Sequence, residues 1–108
     1  MRSGLTYTIE NNRLMMVGDL TINNLCLEMM KTWKRTIIKA KNYVNIDCIN
    51  INKIDSSGIA WLLLSIKSCT DRKKQCHILN FPDNMNDLIE LYLTPTQRRL
   101  FHNAKKHY

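Results

Sequence analysis

Apolar and polar positions first alternate with a period of two. Leu5, Tyr7 and Ile9 are separated by Thr6 and Thr8, Asn11-Asn12 reads as a turn, and Leu14-Met15-Met16-Val17 follows, so an opening β-hairpin is predicted. Gly18-Asp19 ends its second strand. From Ile22 the period becomes helical: Cys26, Met29, Met30, Trp33 and Ile37 recur three and four apart, with Lys31, Lys34, Arg35 and Lys39 on the opposite side. That basic side reads first as a solvated face and second as a binding face. Val44, Ile46 and Cys48 then alternate with Asn45 and Asp47, and Ile49, Ile51 and Ile54 extend a buried strand to Asp55.

After Ser56-Ser57-Gly58 the helical period returns. Ile59, Leu62, Leu63 and Ile66 form the stripe expected to face a sheet, with Cys69 continuing it. The wheel places Trp61 and Leu64 on the other side with Ser57, Ser65 and Ser68, so Trp61, Leu64 and Ser56 are expected to form one exposed docking surface. Cover by Leu100 or Phe101 is the alternative. Asp71-Arg72-Lys73-Lys74 breaks the chain, Cys76 to Phe81 reads as a strand closed by Pro82, and Asp83 stands where it could cap a helix carrying Met85, Leu88, Ile89 and Tyr92. Pro95 ends that helix. Residues 1–95 are expected to form one domain and 96–108 a basic tail, partly helical and frayed. Strands alternating with helices predict an α/β fold, a mixed sheet of about four strands with helices packed against it.

Length and charge narrow the reading. A chain of 108 residues holds one core. Lys+Arg number 16 and Asp+Glu 9, a net charge of +7 that favours an acidic partner. A nucleic-acid partner is not expected, because Trp33 sits on the apolar stripe opposite the lysines and no basic face interleaved with aromatics appears. The uncharged stretch Ser56–Ile66 is too short to cross a bilayer, and Met1–Tyr7 lacks the apolar core of a signal peptide. The expected place is the cytoplasm, with any membrane contact indirect or peripheral.

Several chemistries are unsupported. Cys26, Cys48, Cys69 and Cys76 form no C-x-x-C pair, and His77, His102 and His107 show no ligand spacing, so no metal is expected. Gly4, Gly18 and Gly58 cannot build a phosphate loop, so neither is a nucleotide cofactor. Cys76-His77 could be a nucleophile and base, but neighbours in a strand point to opposite faces, and a core cysteine is the better reading. No catalytic residue is assigned.

The informative segment runs from Asp47 to Ala60, where a strand delivers an acid and a hydroxyl onto the first turn of a helix. Free N–H groups and the positive end of the helix dipole favour an anionic or polar partner there. The plainer reading is that Ser56 caps the helix and Gly58 permits a tight turn. The pattern resembles the STAS domain family, found in bacterial anti-sigma factor antagonists and in cytoplasmic domains of anion transporters. The matching positions are Asp47 for an acid ending the central strand, and Asp55, Ser56 and Gly58 for the Asp-Ser/Thr-x-Gly turn.

Within that family the chain is most similar to MlaB, the STAS subunit of phospholipid-transport ABC complexes. The carriers are Gly58-Ile59-Ala60-Trp61-Leu62-Leu63-Leu64, Arg72-Lys73-Lys74-Gln75 and Leu88-Ile89-Glu90-Leu91-Tyr92-Leu93-Thr94-Pro95. This resemblance implies a non-catalytic accessory subunit of a transporter that maintains outer-membrane lipid asymmetry. It would bind the ATPase subunit, and through it the permease at the inner membrane, by Asp55, Ser56, Ser57, Gly58, Trp61 and Leu64, with Asp47 as a supporting acid. The antagonist branch implies instead that Ser56 is a regulatory phosphorylation site for a partner kinase, and Asp55-Ser56-Ser57-Gly58 is nearer to that branch's form.

Overall fold

The computed structural model of the chain describes residues 4–106. The first three residues of the opening read for a leader, and the fraying expected at 107–108, lie outside them. Strands β1 (Leu5–Glu10) and β2 (Arg13–Leu20) form the hairpin. Asn11 and Asn12 join them at φ 51° and 61°, the left-handed pair that a two-residue hairpin turn needs and that asparagine tolerates. Helix α1 (Leu27–Lys39) leads to β3 (Tyr43–Ile54), parallel to β2, and α2 (Ser56–Asp71) leads to β4 (Gln75–Leu79), parallel to β3. A single 3-10 turn at Asp83–Met85 precedes α3 (Asn86–Tyr92); Asp83 opens that turn and makes no side-chain cap.

Among the described residues the sheet has five strands, in the order β1-β2-β3-β4-β5, where about four were expected. The fifth comes from the segment read as a tail. Pro95 opens helix α4 (Pro95–Ala104), and β5 (Lys105–Lys106) pairs parallel to β4. Proline suits the first helical position because the N–H it lacks would have no partner there. Thr94 and Gln97 close a reciprocal cap: Thr94 Oγ1 accepts the Gln97 N–H at 3.3 Å, and Gln97 Oε1 accepts the Thr94 N–H at 3.0 Å. Phe101 is fully buried and meets the Phe81 ring edge-on at 5.2 Å. The boundary expected after Pro95 therefore falls inside a helix that completes the core.

The helices cover one face of the sheet. Leu14, Met16, Val44, Ile46, Cys48 and Ile78 meet Trp33, Ile59, Leu62, Ile66, Ile89 and Phe101 there, each fully buried or nearly so. Burial contributes roughly 1.5–3 kcal/mol per large apolar side chain. The other face carries Arg13, Met15, Asn45, Asp47 and His77. Cys76 points into the core, while His77 stacks on Tyr43 at 5.3 Å and lies within hydrogen-bond distance of Asn45 and Gln75, so the two are not a catalytic pair. Cys48 and Cys69 are buried as well, and Cys26 is exposed. Among the described residues no helix is long and apolar enough to cross a membrane.

Candidate functional site: the start of the second helix

Strand β3 outruns its neighbour. Its pairing with β4 ends at Asp47 opposite Leu79, while on the other side it stays paired with β2 up to Ile54 opposite Leu20. Helix α2 begins after a single intervening residue, Asp55, so its first turn sits beside the loop that leaves β2. Asp55 ties the two together. Its Oδ1 accepts the Gly58 N–H at 3.0 Å, its Oδ2 accepts the Ile22 N–H at 3.0 Å, and its own N–H donates to the Leu20 carbonyl at 3.3 Å. Partial burial pushes the carboxyl pKa up, but the backbone N–H groups of Ile22, Gly58 and Ser57 outweigh it and hold the pKa below the ordinary value.

Gly58 is required by space. A Cβ there would run into the Leu20 carbonyl oxygen and stand 2.9 Å from the Ile54 side chain. The absent side chain lets the first turn of α2 press against the end of β2. Sequence reasoning missed what lies across this contact: Leu20, Ile22, and Asp19, which pairs in register with Lys53. Gly18-Asp19 reads as no more than a strand end, and only the parallel pairing of β2 with β3 brings it here.

Asp55, not Ser56, is the cap of α2. Ser56 is the first helical residue, it is exposed, and its hydroxyl makes no hydrogen bond among the described residues. Ser57 is half-buried beside it. The site therefore combines a structural carboxylate with a free hydroxyl at the positive end of a 16-residue helix. Among the described residues no three His, Cys, Asp or Glu side chains gather as a metal site would require.

Asp47 does not join this site. It lies inside β3, eight residues before Asp55, which is roughly 25 Å of extended chain. It is 1% exposed on the face without helices. Arg13 Nη2 donates to its Oδ2, and its Oδ1 accepts Asn80 Nδ2 at 3.2 Å and the Ile49 N–H at 3.0 Å. Burial raises its pKa, and these hydrogen bonds with the Arg13 charge more than reverse the effect, leaving it below the ordinary value. The expected strand-end acid is thus a structural ion pair that fastens β2, β3 and the chain after β4.

Trp61 is not on an exposed docking surface: it is 6% exposed and belongs to the core. The helical wheel counts only the sheet as a neighbour, whereas α1 lies alongside α2 and covers its Trp61 side. Trp61 faces a groove shared with Met30, Trp33 and Ile37. Leu64, one turn on, is 61% exposed at the rim, as the wheel predicts. Ser65, expected outside, is buried, its hydroxyl donating to the Trp61 carbonyl at 3.2 Å.

Among solved structures, the chain is similar to that of the anti-sigma factor antagonist SpoIIAA in its unphosphorylated form. The match has a TM-score of 0.55 at 15% sequence identity and covers 96% of this chain and 86% of that one. No family model matches the sequence, and no curated protein does. The likeness is one of fold: the mixed five-stranded sheet with four helices is STAS-like.

Proposed function

We propose that the chain is a regulatory binding protein of the anti-sigma factor antagonist kind, switched by phosphorylation of Ser56. One observation carries the reading: Ser56 is exposed at the start of α2 with an unengaged hydroxyl, because Asp55 already caps the helix. A serine that was the cap would have its oxygen tied up in the fold; this one is free to react. A partner kinase would transfer the γ-phosphoryl group of ATP to Ser56 Oγ, releasing ADP and the hydroxyl proton. The product carries nearly two negative charges where a neutral hydroxyl stood. The N–H groups and dipole of the first turn favour that dianion, and the Asp55 carboxylate opposes it. A partner fitted to the neutral turn meets a desolvation and repulsion barrier after transfer, so phosphorylation releases it.

The accessory-subunit reading, with an ABC-transporter ATPase as partner, would use the same turn. The likeness to SpoIIAA and the Asp55-Ser56-Ser57-Gly58 form support the antagonist reading over it. In either case the chain acts by binding and supplies no catalytic group.

The test is mass spectrometry of the protein isolated from its own cells, together with in vitro transfer from ATP by serine kinases that co-purify with the protein from those cells. The reading expects phosphate on Ser56, lost in Ser56→Ala and kept in Ser57→Ala, and a partner released by the modification. A stable complex with an ATPase and permease, with Ser56 unmodified under all growth conditions, would overturn it in favour of the transporter subunit.

A further inference from the structure

Helices α1 and α2 each return from one parallel strand to the next, so they run side by side in the same direction. Between them lies a groove of about 360 Å³. Its floor is apolar, built from Met30, Trp33 and Ile37 of α1 and Trp61 of α2, with Leu64 on one rim and Lys31 and Lys34 on the other. Among the described residues no carboxylate lines it. The Trp33 indole N–H is buried and finds no acceptor among the described residues.

The rim of α1 continues the pattern. Leu27, Lys31, Lys34 and Ile38 follow at intervals of four, three and four, so they form one straight row on the helix surface. Leu27 is 63% exposed and Ile38 50%, and both lysines are exposed. The row spans about 16 Å, three helical turns. Apolar contacts at both ends with two cations between them, beside an apolar floor, are complementary to one kind of surface: a helix of three turns with apolar residues at i, i+3/i+4 and i+7 and acidic residues on the flank facing Lys31 and Lys34. The chain's net charge of +7 draws such a partner in.

We propose that the α1–α2 groove is a docking site for an acidic amphipathic helix of a partner protein. Apolar anchors enter over Trp33 and Trp61, and the partner's carboxylates pair with Lys31 and Lys34. This surface is separate from the Ser56 hydroxyl and does not depend on its phosphorylation.

The test is selection from a displayed library of three-turn helical peptides against the full chain. Trp33 and Trp61 are the chain's two tryptophans and both line the groove, so tryptophan emission reports binding directly. The enriched peptides should carry apolar residues at the stated spacing with Asp or Glu beside them. The double variant Lys31→Glu/Lys34→Glu should weaken them by roughly tenfold or more, and peptides with the acids exchanged for lysine should regain affinity for that variant. Leu64→Lys should weaken binding without lowering the melting temperature, and Ser56→Asp should leave it unchanged. Enrichment of neutral or basic peptides, no enrichment, or equal binding by the double variant would overturn the proposal. So would phosphatidylglycerol vesicles that bind the chain through the same lysines while no acidic peptide competes. A dimer seen by sedimentation equilibrium and abolished by Leu64→Lys would assign the groove to a second copy and equally overturn it.

Discussion

Asp55 and Ser56 are neighbours with opposite roles: the carboxylate is spent on the Gly58 and Ile22 N–H groups, each at 3.0 Å, while the hydroxyl one residue later faces solvent. The stability of this turn therefore rests on Asp55 and not on Ser56. Asp55→Ala should destabilise the fold by about 1–2 kcal/mol, the range for a lost N-cap. Ser56→Ala should stay within about 0.5 kcal/mol of the parent, as a surface change away from any structural contact. Urea unfolding followed by circular dichroism gives both values. Equal losses would mean that Ser56 shares the cap.

The Asp47 ion pair and His77 should make stability fall with acid in two windows. The folded pKa of His77 lies below the ordinary 6.5, because of burial first and the Lys106 charge second. Its contribution is then complete above 6.5 and is lost as the pH falls below that value. Asp47 and Asp55 lie below the ordinary 3.8, so theirs is complete above 3.8 and is lost as the pH falls through their folded values. Denaturant midpoints measured from pH 8 to pH 2 should show both declines. His77→Gln should flatten the first. Arg13→Met should cost about 1–3 kcal/mol at neutral pH, by removing a charged donor from a buried carboxylate, and should raise the Asp47 pKa.

Trp61 and Leu64 should behave oppositely on truncation. Trp61→Ala removes a core side chain and should cost about 3–5 kcal/mol. Leu64→Ser should leave thermal stability nearly unchanged. Differential scanning calorimetry distinguishes them, and a stable Trp61→Ala protein would return Trp61 to the surface.

Phe101 tests whether the chain after Pro95 is part of the domain. Phe101→Ala should cost about 3–5 kcal/mol, and a chain ending at Leu93 should lose cooperative unfolding altogether. A truncated protein with an unchanged melting transition would show that α4 and β5 are dispensable.

The fold was legible wherever one period ran long enough. The hairpin, α1, β3, α2 and β4 all follow from alternation or helical spacing, because each has a face whose apolar residues recur at its own period against the core. Legibility failed where a second neighbour intervened. Trp61 lies off the sheet-facing stripe of α2 yet is buried by α1, a contact between helices separated by a whole strand. Helix α4 has only Leu100 and Phe101 as large apolar residues, too few to show a period, and its start at Thr94-Pro95-Thr96-Gln97 reads equally as a stop. At the site, Asp55-Ser56-Ser57-Gly58 offers three residues that cap helices well, and no spacing decides among them. Asp47 fitted the resemblance by position along the chain, but the extra length of β3 carries it far from the turn.

In many open parallel sheets the crossovers split to the two sides, and the cleft where they part takes a small molecule at the strand ends. Here spatial order equals chain order, and the helices lie on one side only. Among the described residues the strand order therefore has no parting point of that kind. What this end of the molecule offers is a helix start whose first residue, Ser56, is exposed. On the proposed reading, the pocket that recognises Ser56 would therefore belong to the partner protein, and selectivity there would be set by that protein's surface.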